Sequence, residues 1–570
     1  MTVRGIFAVL PLAMLLNGAA WSQRAIGEIS GRVVAEDGQP IPRATVSVTA
    51  SGRVNRRVTV VADEEGNFRA GGLDAVAYTV TAIAPGYVAR PQGESGAIAR
   101  RAPSYNYIGD VVTVTMLKGG VITGRVVNAA GEPVISIPVV ATQVRDEDGR
   151  PLAAPAPVNT FPQRQTDDRG VYRHYGLAPG SYVISAGGSS FSTRPTPFDG
   201  RMLTYHPSAT RDTAREVTVR GGEEATGIDI RYRSERGYII SGKITGLPAT
   251  GGSMNITLRK AGTDLVVATA SPPRNAENSY AFYGLPNGEY EVIALRDSSN
   301  GDNAFASSPR RALVNGRDVG GIDLALTPLA TLVGRVALEK AAAAQKCEAG
   351  RDSQLNEVVV RARQNEPGEK YALPPSHEAQ PPVGEVAEDG AFSIRGLKAG
   401  RYWLEPLLPG AGWYVKAMKL SGAPVAASDI ARAGVTLKSG ERLIGAQVTL
   451  GAGAAGLKGK VTADAGAKLP KRVRVHLAPA EPEARDDALR FAEALADSEG
   501  AFSFSNVAPG KYWLLARPIS EAEANDRAPR PAHWDSVERA KLRREAEAAN
   551  AMIDLEPCQR VRDYALRYGK

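Results

Sequence analysis

Short segments of alternating apolar and polar residues recur along this chain in a fixed order. In each of five copies, a turn residue is followed two positions later by an aromatic residue, seven later by an aliphatic one and twelve later by a tyrosine. The turn residues are Gly66, Gly170, Asn278, Gly390 and Gly500. Side chains that alternate with period two share one face of a β-strand, so each copy predicts two strands around a tight turn.

The recurring tyrosines mark the buried face of the second strand. They are Tyr78, Tyr182, Tyr290, Tyr402 and Tyr512, and the residue two positions beyond each is aliphatic. A phenol hydroxyl that leaves water needs a hydrogen-bond partner. The pattern therefore predicts one tyrosine in each core, with its hydroxyl bonded to a backbone group of a neighbouring loop.

Each copy also opens with a strand of the form I/L-x-G-[RK]-[VI], as at residues 29–33 and 457–461. Short strands separated by glycine, proline, asparagine and aspartate are typical of antiparallel β-sandwiches. We predict an all-β chain of five tandem antiparallel Greek-key sandwiches, strung end to end. The predicted domains are residues 24–116, 119–233, 236–327, 330–450 and 455–570.

The two ends of the chain depart from the strand pattern. Residues 535–550 alternate acidic and basic residues around a thin apolar stripe, which predicts a helix lying on the last sandwich, with a partner-binding helix as the alternative. Residues 1–22 combine Arg4, an apolar run and small residues, which predicts a secretory signal peptide. The alternative is a membrane anchor, although the run is shorter than a bilayer span.

The composition fits a folded, exported chain. Hydrophobic residues make up 43% of the 570 residues and charged residues 23%, and the net charge of +8 is spread along the whole length. Without a local basic stripe, nucleic acid is not an expected partner. Cys347 and Cys558 are the only cysteines, and they form either one disulfide or two independent thiols.

Candidate chemistry is sparse. No histidine has a second ligand at a zinc-binding spacing and no nucleophile elbow occurs, so we predict no catalytic residue, no metal and no cofactor. Acidic residues beside the turn glycines could hold Ca²⁺, but their usual role is to accept hydrogen bonds from the turn backbone. Trp403, Trp413 and Trp513 are candidates for stacking on sugar rings, unless a linker or the C-terminal helix covers them.

The opening motif, together with D-E-E-G-N-F at 63–68 and G-L-A-P-G-S-Y at 176–182, resembles the carboxypeptidase regulatory-like domain and the related collagen-adhesin B-type repeat. The resemblance extends over nearly all of the chain beyond residue 22, and it is weakest in the third copy, where Asn278 replaces glycine. It implies a transthyretin-like sandwich, also grouped with starch-binding-like folds, without peptidase activity. It also implies an exported bacterial envelope protein built as a stalk, an adhesion module or an accessory domain.

We therefore predict a non-enzymatic scaffold or adhesion protein that is secreted, extracellular or periplasmic, with no membrane span in the mature chain. Its loop tips would bind an envelope or extracellular protein or a polysaccharide. One alternative is a carbohydrate-binding protein with aromatic platforms in the fourth and fifth copies. The other is an enzyme whose site is assembled between repeats.

Overall fold

The computed structural model describes residues 26–51, 56–89, 105–149, 151–157, 165–188, 198–247, 253–263, 265–271, 278–297, 304–339, 347, 353–364, 382–410, 412–424, 428–463, 468–470, 472–497, 499–520, 523 and 531–568. The predicted signal peptide at 1–22 lies outside these residues. The regular structure is nearly all β, which confirms the predicted fold class.

Buried apolar side chains form five large clusters, one in each predicted repeat, and we call the corresponding units sandwiches 1 to 5. Four of the clusters lie between two separate sheets, and the cluster of sandwich 3 lies inside one eight-stranded sheet that folds over itself. The exact domain boundaries stay predictions.

Sandwich 1 sets the pattern for the other four. Its strands are β1 (Ile26–Ala35), β2 (Thr45–Ala50), β3 (Arg57–Val61), β4 (Asn67–Asp74), β5 (Tyr78–Ile83), β6 (Tyr87–Ala89) and β7 (Val111–Lys118). One sheet has the order β4-β1-β7-β6 and the other the order β3-β2-β5. The turn between β3 and β4 contains Gly66, and the tyrosine begins β5.

Sandwiches 2 and 3 repeat this arrangement with additional short strands. Sandwich 2 contains β8 (Gly120–Val127), β9 (Val139–Arg145), β10 (Pro151–Pro157), β11 (Val171–Leu177), β12 (Gly180–Ala186), β13 (Thr204–Tyr205), β14 (Val217–Val219), β15 (Glu224–Ala225) and β16 (Ile230–Arg231), with a 3-10 turn at Arg211–Thr213. Sandwich 3 contains β17 (Tyr238–Thr245), β18 (Ser253–Lys260), β19 (Val266–Ala270), β20 (Ser279–Leu285), β21 (Gly288–Asp297), β22 (Phe305–Ser307), β23 (Arg310–Val314) and β24 (Leu324–Pro328).

Sandwiches 4 and 5 also carry helical segments. Sandwich 4 contains β25 (Ala330–Leu338), a 3-10 turn (Leu355–Glu357), β26 (Val359–Gln364), β27 (Val383–Glu385), β28 (Ala391–Leu397), β29 (Gly400–Leu407), β30 (Trp413–Leu420), helix α1 (Ile430–Ala433), β31 (Val435–Leu437) and β32 (Arg442–Ala452). Sandwich 5 contains β33 (Ala455–Thr462), β34 (Val473–Pro479), 3-10 turns at Pro482–Ala484, Ala488–Arg490 and Ala532–Trp534, β35 (Ala492–Leu495), β36 (Ala501–Val507), β37 (Gly510–Pro518), helix α2 (Ser536–Ala549), β38 (Ala551–Leu555) and β39 (Arg560–Arg567).

The last strand of each sandwich runs parallel to its opening strand, a pairing that the expectation of purely antiparallel sheets did not include. The pairs are β7 with β1, β16 with β8, β24 with β17, β32 with β25 and β39 with β33. The glycine of the opening motif permits this approach. A Cβ added at Gly31 would overlap the Val112 carbonyl oxygen. A Cβ at the equivalent glycine of each other copy would likewise overlap a backbone carbonyl oxygen of that copy.

Helix α2 confirms the helix predicted at the C-terminus. The Asp535 carboxylate caps it by accepting hydrogen bonds from the N–H groups of Val537 and Glu538, and Asn550 ends it in a left-handed conformation with φ 53°. One side packs on sandwich 5, and β38 then pairs with β37. Among the helices in the described part of the chain, none is long and apolar enough to cross a bilayer.

Candidate functional site at the junction of sandwiches 4 and 5

The five recurring tyrosines make one and the same contact. Each hydroxyl donates a hydrogen bond of 2.6–3.1 Å to the carbonyl oxygen four residues earlier. The acceptors are Asp74, Ala178, Pro286, Lys398 and Ala508. Each tyrosine is at most 4% exposed, and burial raises the pKa of Tyr290 and Tyr512 to about 12. The hydroxyl thus fastens the second strand to the turn before it.

The turn carboxylates also bind their own backbone. One carboxylate oxygen in each of Asp63, Asp167 and Asp497 accepts hydrogen bonds from the N–H groups two and four residues further on. These bonds, led by that from Val171, lower the pKa of Asp167. Across the described ranges, no group of three His, Cys, Asp or Glu side chains is arranged to hold a metal ion. The carboxylates therefore act as turn-forming groups.

Trp403 does not form an exposed platform. It lies on the outer face of the sheet β27-β26-β29-β31, is 4% exposed, and stacks on Trp534 with ring centroids 5.4 Å apart and planes at 15°. The Arg401 guanidinium carbon lies 4.8 Å from the centre of the Trp403 ring. The predicted stacking of Trp403 on a sugar is wrong, because Trp534 occupies the ring face that a pyranose would need.

The other two candidate tryptophans are also used within the fold. Trp513 packs against Leu542 and Ala546 of α2, and its indole nitrogen is buried. Trp413 is half-buried against the core of sandwich 4. Because Trp513 is half-buried beside the helix, stacking of Trp413 or Trp513 on a sugar stays a prediction. Cover by the C-terminal segment was the alternative that the sequence left open.

An ion-pair network borders the tryptophan stack. Glu405 accepts a hydrogen bond from Arg363 at 2.7 Å and one from Arg361 Nε at 2.8 Å, and the three side chains are 14–26% exposed. The Arg363 guanidinium carbon also lies 4.8 Å from the centre of the Trp534 ring. Because Glu405 fixes the guanidinium over the indole, the network adds a cation–π contact to the aromatic stack.

The same outer face is covered at its other end by sandwich 1. Val359 and Ala77 are each 1% exposed. They belong to an apolar cluster that joins sandwiches 1 and 4, together with Tyr105, Tyr107, Val383 and Leu407. The chain therefore folds back so that its first and fourth copies touch. The end-to-end arrangement expected from the sequence does not include this contact.

A disulfide and several hydrogen bonds close the junction between sandwiches 4 and 5. Cys347 and Cys558 form a disulfide, which settles the two alternatives that the sequence left open. The Cys558 N–H donates to the carbonyl oxygen of Gly453, in the link between β32 and β33. The Asn506 side-chain amide donates to the carbonyl oxygens of Gly410 at 2.8 Å and Trp413 at 2.7 Å. The junction is thus held at the hinge as well as through Trp534.

Comparison with known proteins supports the resemblance seen in the motifs. Residues 28–100, within sandwich 1, match the family model of the carboxypeptidase regulatory-like domain. No curated protein matches the sequence significantly.

Three similar solved structures share little identity with this chain. The TIE protein of Bacillus anthracis is 14% identical, with 53% of this chain and 50% of that chain covered and a TM-score of 0.15. The minor pilin GBS52 of Streptococcus agalactiae is 11% identical, with 36% and 96% covered and a TM-score of 0.19. The major pilin subunit BcpA of Bacillus cereus is 10% identical, with 53% and 99% covered and a TM-score of 0.14. Scores this low carry no argument about overall shape or function.

Proposed function

We propose that this chain is a non-enzymatic scaffold or adhesion protein of the cell envelope or exterior. The observation that carries the proposal is the use of the recurring polar side chains, since the tyrosine hydroxyls and turn aspartates bind the backbone of their own copy. Residue types that recur between copies build the fold. Recognition is left to exposed loops, which differ between copies.

The contacts between sandwiches support a scaffold role. Sandwich 4 is tied to sandwich 5 by the disulfide, the Asn506 amide and the Trp403–Trp534 stack, and to sandwich 1 by an apolar cluster. Several independent contacts restrict the motion of neighbouring domains, which a single flexible linker does not do. A framework of this kind holds its exposed loops at fixed separations.

The Cys347–Cys558 disulfide supports export, because such bonds persist outside the reducing cytosol. We expect the native chain to be recovered in the envelope or exterior fraction, with no thiol available for alkylation until a reductant is added. A mass shift after alkylation measures this directly. Recovery in the cytoplasm with both thiols free would refute the exported location.

Binding through loop tips is tested by capture from the native cell surface. The loops at 36–39 and 129–133 are exposed and follow the opening strands of sandwiches 1 and 2. We expect that replacing both with Gly-Ser segments of equal length reduces the captured protein or polysaccharide while circular dichroism stays unchanged. Equal capture by the replaced and native chains would contradict recognition by these loops. Polysaccharide recognition by Trp403 is not proposed, because Trp534 covers that ring.

A further inference from the structure

The third strand of each copy lies at a sheet edge, and β3 is the most exposed of the four third strands whose burial is described throughout. Every residue of β35 is half-buried, only one residue of β19 is exposed, and β27 lies under sandwich 1. In β3 the outward positions Arg57, Thr59 and Val61 are all exposed, and Val61 is 64% exposed. The edge of sandwich 1 is therefore open to solvent.

The outward backbone groups of β3 have no hydrogen-bond partner among the described residues. Val58 and Val60 pair with Val48 and Val46 of β2, and the flanking hydrogen bond from the Ala50 N–H to the Arg56 oxygen continues the same series. In an antiparallel ladder, alternate residues direct their N–H and C=O groups to opposite sides. The backbone groups of the exposed positions therefore point away from β2, which leaves three donors and three acceptors along the edge.

This edge carries few of the features that normally prevent strand pairing. Natural edges are blunted by proline, by inward-pointing charges or by bulges. The segment R-V-T-V-V contains no proline, its pairing with β2 is regular, and its single charged residue, Arg57, lies at one end. The inward-facing Val58 and Val60 are only half-buried against the core. An added strand would pair the free backbone groups and complete the burial of both valines.

We propose that β3 docks against β3 of a second copy of this chain, as a two-fold antiparallel pair centred on Thr59. In this register Thr59 faces Thr59 of the second copy, and Arg57 faces Val61 of the second copy. Each of these positions then exchanges two backbone hydrogen bonds, so every outward group on both strands is paired.

The charges favour this register over the simplest alternative. The two Arg57 side chains lie at opposite ends of the antiparallel pair, whereas parallel pairing in register would place them side by side. The outer face of the joined sheet would continue the uncharged row of Thr45, Ser47 and Thr49 on β2. No like charges oppose each other in the proposed contact.

Sedimentation of the whole chain over a range of concentrations tests the proposal, which expects a reversible dimer. Val61→Lys sets a lysine opposite Arg57 of the second copy, and Thr59→Pro removes the central outward N–H without touching a bond to β2. Each should weaken dimerisation about tenfold or more, as expected for losing two hydrogen bonds or opposing two like charges. Ile83→Lys is the control, because it adds the same charge on the far strand of the same face.

A cross-linking measurement tests the register itself. The α-carbons of a hydrogen-bonded antiparallel pair lie about 5.5 Å apart, within the range that a disulfide spans. Mild oxidation of the Thr59→Cys chain should therefore give a covalent dimer, and the Ile83→Cys chain should not. The native cysteines are already bonded to each other. A wild-type chain that stays monomeric at every concentration, or equal effects of the Val61 and Ile83 variants, would overturn the proposal.

Discussion

Replacing Trp534 with alanine should uncouple sandwich 4 from the C-terminal segment. Trp534 is 7% exposed, stacks on Trp403 at 5.4 Å and lies 4.8 Å from the Arg363 guanidinium carbon. Truncating a buried tryptophan typically costs about 3–5 kcal/mol. Of that cost, about 0.5–1.5 kcal/mol comes from the contact between the two indole rings, and the rest comes from burial of the Trp534 side chain. Only the ring contact depends on both tryptophans. The two tryptophans should therefore show a coupling free energy of about 1 kcal/mol.

Hydrogen exchange detected by mass spectrometry measures this coupling locally, which suits a chain of several domains whose global unfolding is not a single transition. Peptides from β29 and α2 would be followed in the wild type, in Trp403→Ala, in Trp534→Ala and in the double variant. A coupling of about 1 kcal/mol corresponds to roughly a fivefold difference in protection between the double variant and the additive expectation.

The control is a second cycle that combines Trp403→Ala with Trp513→Ala. Trp513 packs on α2 from the side of sandwich 5, so its loss should expose α2 without a specific coupling to Trp403. If the effects of Trp403→Ala and Trp534→Ala on protection simply add, as in the control cycle, the stack contributes no coupling free energy and the reasoning is refuted. Unchanged protection of β29 in the Trp534 variant would refute it as well.

Three further predictions follow from single side chains. Tyr512→Phe leaves the Ala508 carbonyl oxygen without its donor and should lower the local opening free energy of β37, measured by hydrogen exchange, by about 1–3 kcal/mol, with unchanged protection as the contrary result. Burial lowers the pKa of His476 to about 3, so its stabilising contribution is complete above about pH 6.5 and decreases below it. Between pH 7.5 and 5, the free energy of unfolding of sandwich 5 should fall by about 2 kcal/mol more in the wild type than in His476→Asn. Parallel pH profiles of this free energy in the two chains would contradict the prediction. Cys558→Ser should lower the free energy of unfolding of sandwich 5 by about 2–5 kcal/mol. A reductant should have the same effect on the wild type and no further effect on the variant.

The repeated fold could be predicted because its signals are local. A turn residue with positive φ, an inward aromatic and an inward tyrosine are fixed by backbone geometry within about a dozen residues. Asn278 adopts φ 51°, so the copy that departs from glycine keeps the same turn. The role of Gly31 was not predicted, because it depends on the approach of β7, which lies far along the chain.

The sequence did not show which outer faces are covered, because cover depends on the element that packs there and not on the strand itself. The alternation correctly placed Trp403 and Trp513 away from the cores, but it could not decide between a ligand and the chain itself.

The outer face that is covered in sandwich 4 is open in sandwich 1. Trp403 and Leu407 point outward in sandwich 4, where Trp534 and sandwich 1 exclude water from them. The equivalent outward positions on β5 of sandwich 1 are Thr79, which is half-buried, and Ile83, which is 72% exposed. Threonine suits a strand surface in contact with water, whereas a large apolar side chain such as Ile83 gains free energy when another surface covers it. Sandwiches 1 and 4 therefore share the pattern of their interiors but differ in their outer faces, and in sandwich 1 this face remains available for contact with another molecule.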